Sequence, residues 1–416
     1  MDKITLLHNK HIVLGVTGSI AVYKAVDLAS KLTQAGALVD VIMTDAAQQF
    51  VTPLTFQSVT GRPVYTNLWK ADSNGGLPTH IAHVGLGESA DLFAVIPATA
   101  NTIAGLAFGR AHDMLSVTAL AARCPLVIAP AMDGAMYEHP ATRTNIQTLL
   151  ARGAYWIEPE SGRFASGLMG KGRLPETPTL IGHIRRALAK NGTLAGRKVV
   201  VTAGGTREAI DPVRYITNRS SGKQGFALAQ AALDAGANVT LITTVQNLPM
   251  PIGVNRVAVG SAEQMQEAVL EQVQDADALI MAAAVADFKP KNVAEQKIKK
   301  TDDSDDAPTI ALTRNPDILV AVREQRAKFN FPRVAVGFAA ESENLLTYGR
   351  AKLERKGLDL LVANDITAKD AGFEVDTNRV TILDADGGQE AVALATKTLI
   401  AERIVERVAA LLRDAK

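Results

Sequence analysis

The chain has 416 residues, more than one ordinary domain holds and enough for two. Hydrophobic residues make up 47% and charged residues 21%, so both halves can bury a core and neither reads as disordered. Lys plus Arg total 44 against 43 Asp plus Glu, a balance that argues against a nucleic-acid binder with its basic excess. The longest apolar runs, such as 278–286, fall far short of the roughly 20 residues of a membrane span. The start, MDKITLLHNK, lacks the apolar core of a signal peptide. One cysteine, Cys124, excludes a disulfide framework and a Cys-rich metal site. The expectation is a cytoplasmic protein that handles small molecules, with no nucleic-acid or membrane partner.

Residues 11–15 (HIVLG) read as a short buried strand, 20–33 as a helix and 37–43 (ALVDVIM) as the next strand. That is a β-α-β unit, the seed of a parallel sheet. Residues 90–96 and 125–128 supply further strands, and 179–190 reads as a basic helix. A second start appears at 198–202 (KVVVT), and the two starts echo each other. Gln34-Ala35-Gly36-Ala37 precedes the second strand of one, and Asp234-Ala235-Gly236-Ala237 that of the other. Extra residues in the second unit fall in 211–225, and later strands follow at 276–284, 333–337 and 358–362. The predicted fold class is α/β: two Rossmann-like domains, 1–190 and 191–416, with parallel sheets flanked by helices.

In the first half, Gly15-Val16-Thr17-Gly18-Ser19 lies between strand and helix. It is either a phosphate-binding turn or merely a tight one. Pro97-Ala98-Thr99-Ala100-Asn101-Thr102 follows a strand at its carboxyl end, where open sheets bind ligands. Its small residues let a flat ring approach, and Thr99 and Asn101 offer hydrogen bonds; the plain alternative is a helix start capped by Asn101. Spacing does not choose between His83 and His80 as a functional histidine. Residues 162–172 hold Gly162, Gly167, Gly170 and Gly172, the composition of a mobile flap or of a surface loop.

These segments, GVTGSIAVYKA, the one around His83, PATANTIAG, PAMD with Met136 and Asn145, and GRFASGLMGKGR, together resemble the flavin-dependent cysteine decarboxylases. The resemblance spans about 12–174. It implies a Rossmann-like trimer with FMN held by Gly18, Ser19, Thr44, Thr99, Asn101 and Met132. It implies His83 as the catalytic histidine, Asp133 on the substrate carboxylate and Ser166 in the flap. Many members carry Asn where this chain has Asp133, and a proton-donating cysteine where it has Ser166.

In the second half, AGGTRE (203–208) again lies at a strand-to-helix turn, and DPVRYITNRSSGKQG (211–225) reads as a dimer arm or a long surface loop. Residues 283–290 (AAVADFKP) end a buried strand with Asp287, placed for a sugar hydroxyl or a metal-bound phosphate. Lys297-Ile298-Lys299-Lys300 clusters cations suited to phosphates, unless it is only a solvated face. The acidic stretch 301–306 after it reads as flexible. Asn315-Pro316-Asp317-Ile318 adds a rigid turn, and Lys352 with Lys356 forms an i, i+4 pair.

With GFAAE (337–341) and ANDI (363–366), this ordered set resembles the CTP-using phosphopantothenate–cysteine ligases over about 196–378. The resemblance puts CTP against Met281, Ala282, Ala283, Asp287, Lys297, Pro316, Asp317, Ile318, Leu319, Phe338, Lys352 and Lys356. Asn218 would act in the second half-reaction, Mg²⁺ would accompany CTP, and metal ligands stay unassigned. Together the two resemblances imply consecutive steps. The second half joins 4′-phosphopantothenate to cysteine through an acyl-cytidylate, and the first decarboxylates 4′-phosphopantothenoylcysteine to 4′-phosphopantetheine. They imply a homo-oligomer built from decarboxylase trimers and ligase dimers. The alternative is a ligase alone, with a silent flavin-binding scaffold in front of it.

Overall fold

The computed structural model describes residues 4–69, 81–164, 167–299, 309–341, 345–365 and 375–414. Ser166, His80 and the acidic stretch 301–306 lie outside the described residues. The chain divides into two compact units, Met1–Lys190 and Asn191–Lys416.

The first unit opens with β1 (His11–Val16), α1 (Val22–Gln34), β2 (Leu38–Met43), α2 (Asp45–Gln48), α3 (Pro53–Thr60) and β3 (Val64–Tyr65). It continues through α4 (Ala82–Ser89), β4 (Leu92–Ala98), α5 (Ala100–Ala107), α6 (Met114–Ala121) and β5 (Leu126–Pro130). After α7 (Gly134–Glu138), α8 (Pro140–Ala151) and β6 (Tyr155–Trp156) comes a hairpin of β7 (Glu160–Arg163) and β8 (Met169–Arg173), then α9 (Thr177–Leu188). The main sheet is six-stranded in the order β3-β2-β1-β4-β5-β6, and every pairing is parallel. Strand order reverses between β1 and β4, and such a switch point, at the carboxyl ends of the strands, is where open α/β sheets bind ligands.

Side-chain alternation builds this unit. Ile12, Leu14 and Val16 pack on one face of β1 with α1 and α9, while Val13 packs on the other. In α1, Val22, Ala25, Leu28, Ala29 and Leu32 recur at helical spacing and are all buried. The helix stops before Gly36, whose φ of +103° is a left-handed conformation that suits glycine. Gly236, at φ +92°, ends the matching helix of the second unit, so the sequence echo reports one shared geometry.

The second unit contains β9 (Lys198–Ala203), β10 (Arg207–Asp211), β11 (Arg214–Thr217), α10 (Lys223–Asp234), β12 (Asn238–Thr243), β13 (Asn255–Ala258) and α11 (Ala262–Gln272). There follow β14 (Ala278–Met281), β15 (Phe288–Pro290), β16 (Leu312–Arg314), α12 (Ile318–Phe329), β17 (Val334–Glu341) and α13 (Leu345–Lys356). The chain finishes with β18 (Leu360–Asp365), β19 (Thr377–Asp384), β20 (Gln389–Thr396) and α14 (Lys397–Asp414). The sheet is eight-stranded, β13-β12-β9-β14-β17-β18-β19-β20. It is parallel up to β18; β19 and β20 add antiparallel strands that the parallel pattern does not announce. Alternate residues again divide: Val199 and Val201 face α10 and α14, and Val200 faces α11 and α12.

Each hydrophobic cluster draws on one unit only, residues 4–187 or 194–412. Residues 1–190 and 191–416, expressed separately, should therefore each unfold cooperatively on heating. A half recovered only as aggregate, under conditions where the whole chain is soluble, would reject that independence.

Candidate functional site

The first unit gathers its candidate residues at the carboxyl edge of the sheet, where β1, β2, β4 and β5 end. Thr17, buried after β1, donates through its hydroxyl to the Pro97 carbonyl at 2.7 Å and accepts from the Thr99 amide at 3.1 Å. That pair ties the Gly18-Ser19 turn to the end of β4. Thr44 follows β2 and caps α2 by accepting from the Ala47 amide. Thr99 caps α5, its hydroxyl accepting from the Thr102 amide at 3.3 Å. Asn101 is therefore not the cap; it lies exposed in the first turn of α5.

Met132 and Asp133 follow β5, and the β7–β8 hairpin rests on them. The Met132 amide donates to the Gly172 carbonyl at 3.0 Å, and a Cβ on Gly172 would fall 2.2 Å from the Met132 carbonyl oxygen. Only glycine allows that approach. The Asp133 carboxylate accepts from the Ala135 amide at 3.1 Å and caps α7. A helix start favours a carboxylate, which gives an acidic side chain a structural reason to stand here. His83 is half-buried in the first turn of α4. Helix α4 runs back to β4, whose entry at Asp91 bonds the start of β1.

In the second unit, two threonines assemble the floor of a cavity. Thr202 accepts from the Ala283 amide at 3.0 Å and Thr206 from the Ala286 amide at 2.9 Å; both are fully buried. Gly204, at φ +92°, accepts from the Ala284 amide through its carbonyl, so the 203–208 turn and the 282–286 run are zipped together. The NPDI turn joins them: Asn315 donates to the Ala286 carbonyl at 2.8 Å, and its own amide to the Asp287 carbonyl at 2.9 Å. Asp317 caps α12 and pairs with Lys356 of α13. Lys352, one turn earlier, donates to the Phe338 carbonyl at 2.9 Å.

The cavity so enclosed has a volume of about 720 Å³, within the range of small-molecule sites. Met281, Ala282, Ala283, Asp287, Pro316, Asp317, Ile318, Leu319, Phe338, Lys352, Lys356 and Asn218 all line it. Lys297 does not. Its neighbour Ile298 is strapped to the β10–β11 hairpin, its amide donating to Asp211 Oδ2 and its carbonyl accepting from Arg214. Asp211 also accepts from Val213 and Arg214, and these donors hold its pKa down to about 2. The segment 211–225 is thus partly a structural hairpin with a buried carboxylate, and only its later part, from Asn218, reaches the cavity.

Lining the cavity are Lys223, Arg314, Lys352, Arg355, Lys356 and Lys397 against Asp287 and Asp317, a wall made for polyanions. Burial pushes the Lys356 pKa down and Asp287 draws it back up. Sequence reasoning missed Lys223, Asn364 and Lys397. Lys223 lay unremarked in SSGKQG and Asn364 in ANDI. Lys397 had no signal, since it opens a helix after two unforeseen strands. Among the described residues there is no cluster of His, Cys, Asp or Glu able to hold a metal, and no helix is long and apolar enough to cross a membrane.

Comparison with known proteins covers both units. The Flavoprotein family model matches residues 3–189, and the model for the DNA/pantothenate metabolism flavoprotein C-terminal domain matches 194–412. Coenzyme A biosynthesis bifunctional protein CoaBC of Bacillus subtilis (strain 168) is 46% identical over 409 residues, 98% of each chain. That of Mycobacterium tuberculosis (strain ATCC 25618 / H37Rv) is 47% identical over 410 residues, 96% of each chain. A crystal structure of the C-terminal domain of a CoaBC protein is 37% identical, with a TM-score of 0.45, covering 54% of this chain and 99% of that one.

Proposed function

This chain belongs to the family of bifunctional coenzyme A biosynthesis proteins, and we propose that ligation takes place in Asn191–Lys416 and decarboxylation in Met1–Lys190. The two activities are those of a phosphopantothenate–cysteine ligase and a phosphopantothenoylcysteine decarboxylase. The observation that carries the site assignment is the cavity. Segments far apart in sequence, 281–287, 316–319, 338 and 352–356, line one cavity, as binding of one nucleotide triphosphate requires.

A carboxylate is a poor electrophile and must be activated before an amine can attack it. In this reading the pantothenate carboxylate attacks the α-phosphorus of CTP, pyrophosphate leaves and an acyl-cytidylate forms. The cysteine amine then attacks the acyl carbon, CMP leaves and the amine proton passes to solvent. Met281, Ala282, Ala283 and Phe338 border the base, Asp287 takes ribose hydroxyls, and Pro316–Leu319 hold the nucleotide. Lys352 and Lys356 offset phosphate charge, joined by Lys297 when its segment reaches the triphosphate. Asn218 donates to the acyl oxygen. Among the described lining residues Asp317 is spent on its ion pair with Lys356, so Mg²⁺ would be carried mainly by the triphosphate with Asp287 beside it.

In the first unit, Gly18, Ser19, Thr44, Thr99, Asn101 and Met132 surround the switch point and would hold FMN. The close approach of Gly172 to Met132 and the tied 17–19 and 97–99 turns suit a flat ring on small residues. FMN, when bound, supplies oxidation of the cysteinyl thiol and the return of the electrons. His83 takes the thiol proton, and Asp133 orders the loop that faces the substrate carboxylate. We place the protein in the cytoplasm as an oligomer of decarboxylase trimers and ligase dimers. Ile20, Tyr23, Leu54 and Leu120, each about 60% exposed or more, leave the first unit apolar surface for self-association.

The test is a product assay on the full chain. With CTP, cysteine and 4′-phosphopantothenate, the flavin-free protein should accumulate phosphopantothenoylcysteine, and adding FMN should convert it to phosphopantetheine with CO₂. No amide product rejects the ligase assignment. Amide without CO₂ from flavin-loaded protein would restore the silent-scaffold reading, which relatives matching both units do not favour.

A further inference from the structure

Phe164, directly after β7, has no role in the scheme above. Its ring lies over bare backbone: a Cβ on Gly170 would stand 3.0 Å from it, one on Gly172 3.3 Å and one on Gly134 3.4 Å. Gly134 opens α7 and the other two belong to β8, so three glycines form a seat for one ring. We propose that Phe164 is a positioning residue for the decarboxylation: seated there, its ring fixes the Met132–Asp133 loop that faces flavin and substrate. The inference rests on the decarboxylase reading of the first unit and deepens it.

The loop needs such a support. Helix α7 has 5 residues, and so short a helix does not offset its own nucleation, so what packs on its start decides where that start lies. The Asp133 bond to the Ala135 amide is exposed, at 3.1 Å. On the other side, the Met132 amide donates to the Gly172 carbonyl at 3.0 Å, so the place of the loop follows the place of β8. Glycines at 134, 170 and 172 leave both backbones without side chains to grip each other and with more conformations open to them. An aromatic ring among them supplies the contact area they lack, and fixing it takes only two side-chain torsions.

The hairpin is itself anchored away from that seat. Past β8, the buried Lys24 of α1 donates to the Leu174 carbonyl at 2.8 Å and pairs with Glu176 at 2.7 Å. Lys171 pairs with Glu158 at 2.6 Å, but their side chains are 43% and 65% exposed, and solvent screens such a pair. Glu158 also accepts from the hydroxyl of the buried Tyr137 of α7 at 3.2 Å. Phe164 is held by its own backbone: its amide donates to the Leu168 carbonyl at 2.8 Å, and its carbonyl accepts from the Gly167 amide at 3.0 Å. A ring fixed in this way can hold the loop rather than follow it.

The test uses the full chain with Phe164→Ala, Phe164→Leu, Gly170→Ala, and Phe164→Ala combined with Gly170→Ala. In Phe164→Ala loaded with FMN, kcat for CO₂ release should fall about tenfold to a hundredfold, the effect of misplacing reacting groups by about an ångström. KM and the FMN dissociation constant should stay within about threefold, because the flavin residues at the ends of β1, β2 and β4 are untouched. Without flavin, hydrogen exchange should quicken at the amides of 132–137 and stay unaltered in β1. Phe164→Leu, which keeps an apolar side chain in the seat, should recover most of the rate. Gly170→Ala crowds the ring and should act in the same direction at smaller size, yet add nothing once the ring is gone. Loss of FMN in step with the rate, unaltered exchange, or additive losses in the combined variant would overturn the proposal. Should Phe164→Ala fail to fold, Gly170→Ala must by itself slow CO₂ release and quicken exchange, and its failure to do so overturns the proposal too. Wild-type protein with FMN that releases no CO₂ would sink the decarboxylase reading. Active wild-type protein with an unaltered Phe164→Ala would sink this inference alone.

Discussion

Asn218→Asp should release pyrophosphate at close to the normal rate while amide formation falls by about a hundredfold to a thousandfold, the cost of losing one donor to a developing oxyanion. In the structure the Asn218 amide nitrogen lies 3.2 Å from the Val285 carbonyl and 3.4 Å from that of Ala284. These are long bonds at the rim of the cavity that occupy both amide N–H groups, so a substrate oxygen would have to take one of them over. A carboxylate at this position cannot donate. It would also face two carbonyl oxygens, and its charge would repel the oxygen on which negative charge grows. Activation, which takes place at the α-phosphorus, does not need that donor. Acyl-cytidylate should therefore accumulate and be visible by quenched-flow chromatography. If pyrophosphate release and amide formation decline together, Asn218 serves nucleotide binding or folding, and its assignment to the second half-reaction is wrong.

How far such residues can be read without coordinates depends on whether they repeat a local pattern. The β-α-β starts at His11 and Lys198 were legible because buried parallel strands are continuous apolar runs and the turn glycines Gly36 and Gly236 recur at matching places. The motif positions around the cavity were legible as an ordered resemblance, but what draws them together was not. Thr202 and Thr206, fully buried threonines that fasten the alanine run, look like ordinary strand-end residues in the sequence. The β10–β11 hairpin hid in a polar stretch because its anchor is a carboxylate, Asp211, satisfied by five backbone and side-chain donors rather than by apolar packing. Lys397 was invisible for another reason. A lysine at a helix start is ordinarily solvated, and only the antiparallel β19–β20 pair ahead of α14 brings this one to the cavity wall. Asn101 shows the opposite error: a good capping residue two positions too late, because Thr99 had already taken the cap.

His83→Asn should abolish CO₂ release from phosphopantothenoylcysteine by about a hundredfold or more, the usual contribution of a positioned acid–base group, while FMN stays bound. The flavin residues proposed above come from the ends of β1, β2, β4 and β5, whereas His83 comes from α4, so its loss leaves that set intact. Asparagine keeps the size and a hydrogen-bonding amide but cannot take up a proton near neutral pH, which isolates the proton-transfer role. The wild-type unit should be active in spite of the two departures from the common pattern. The Asp133 carboxylate caps α7, so its charge is partly spent on backbone amides and need not confront the substrate carboxylate. Ser166 is a much weaker acid than a thiol, and the step that returns electrons then draws its proton from water or another group. Residues 1–190 loaded with FMN should accordingly release CO₂ and form phosphopantetheine in equal amounts. CO₂ in excess over phosphopantetheine would place the defect at the reductive step and at Ser166. Wild-type turnover that survives His83→Asn unchanged would show that thiol deprotonation needs no histidine here, and would return the choice of base to the rest of the unit.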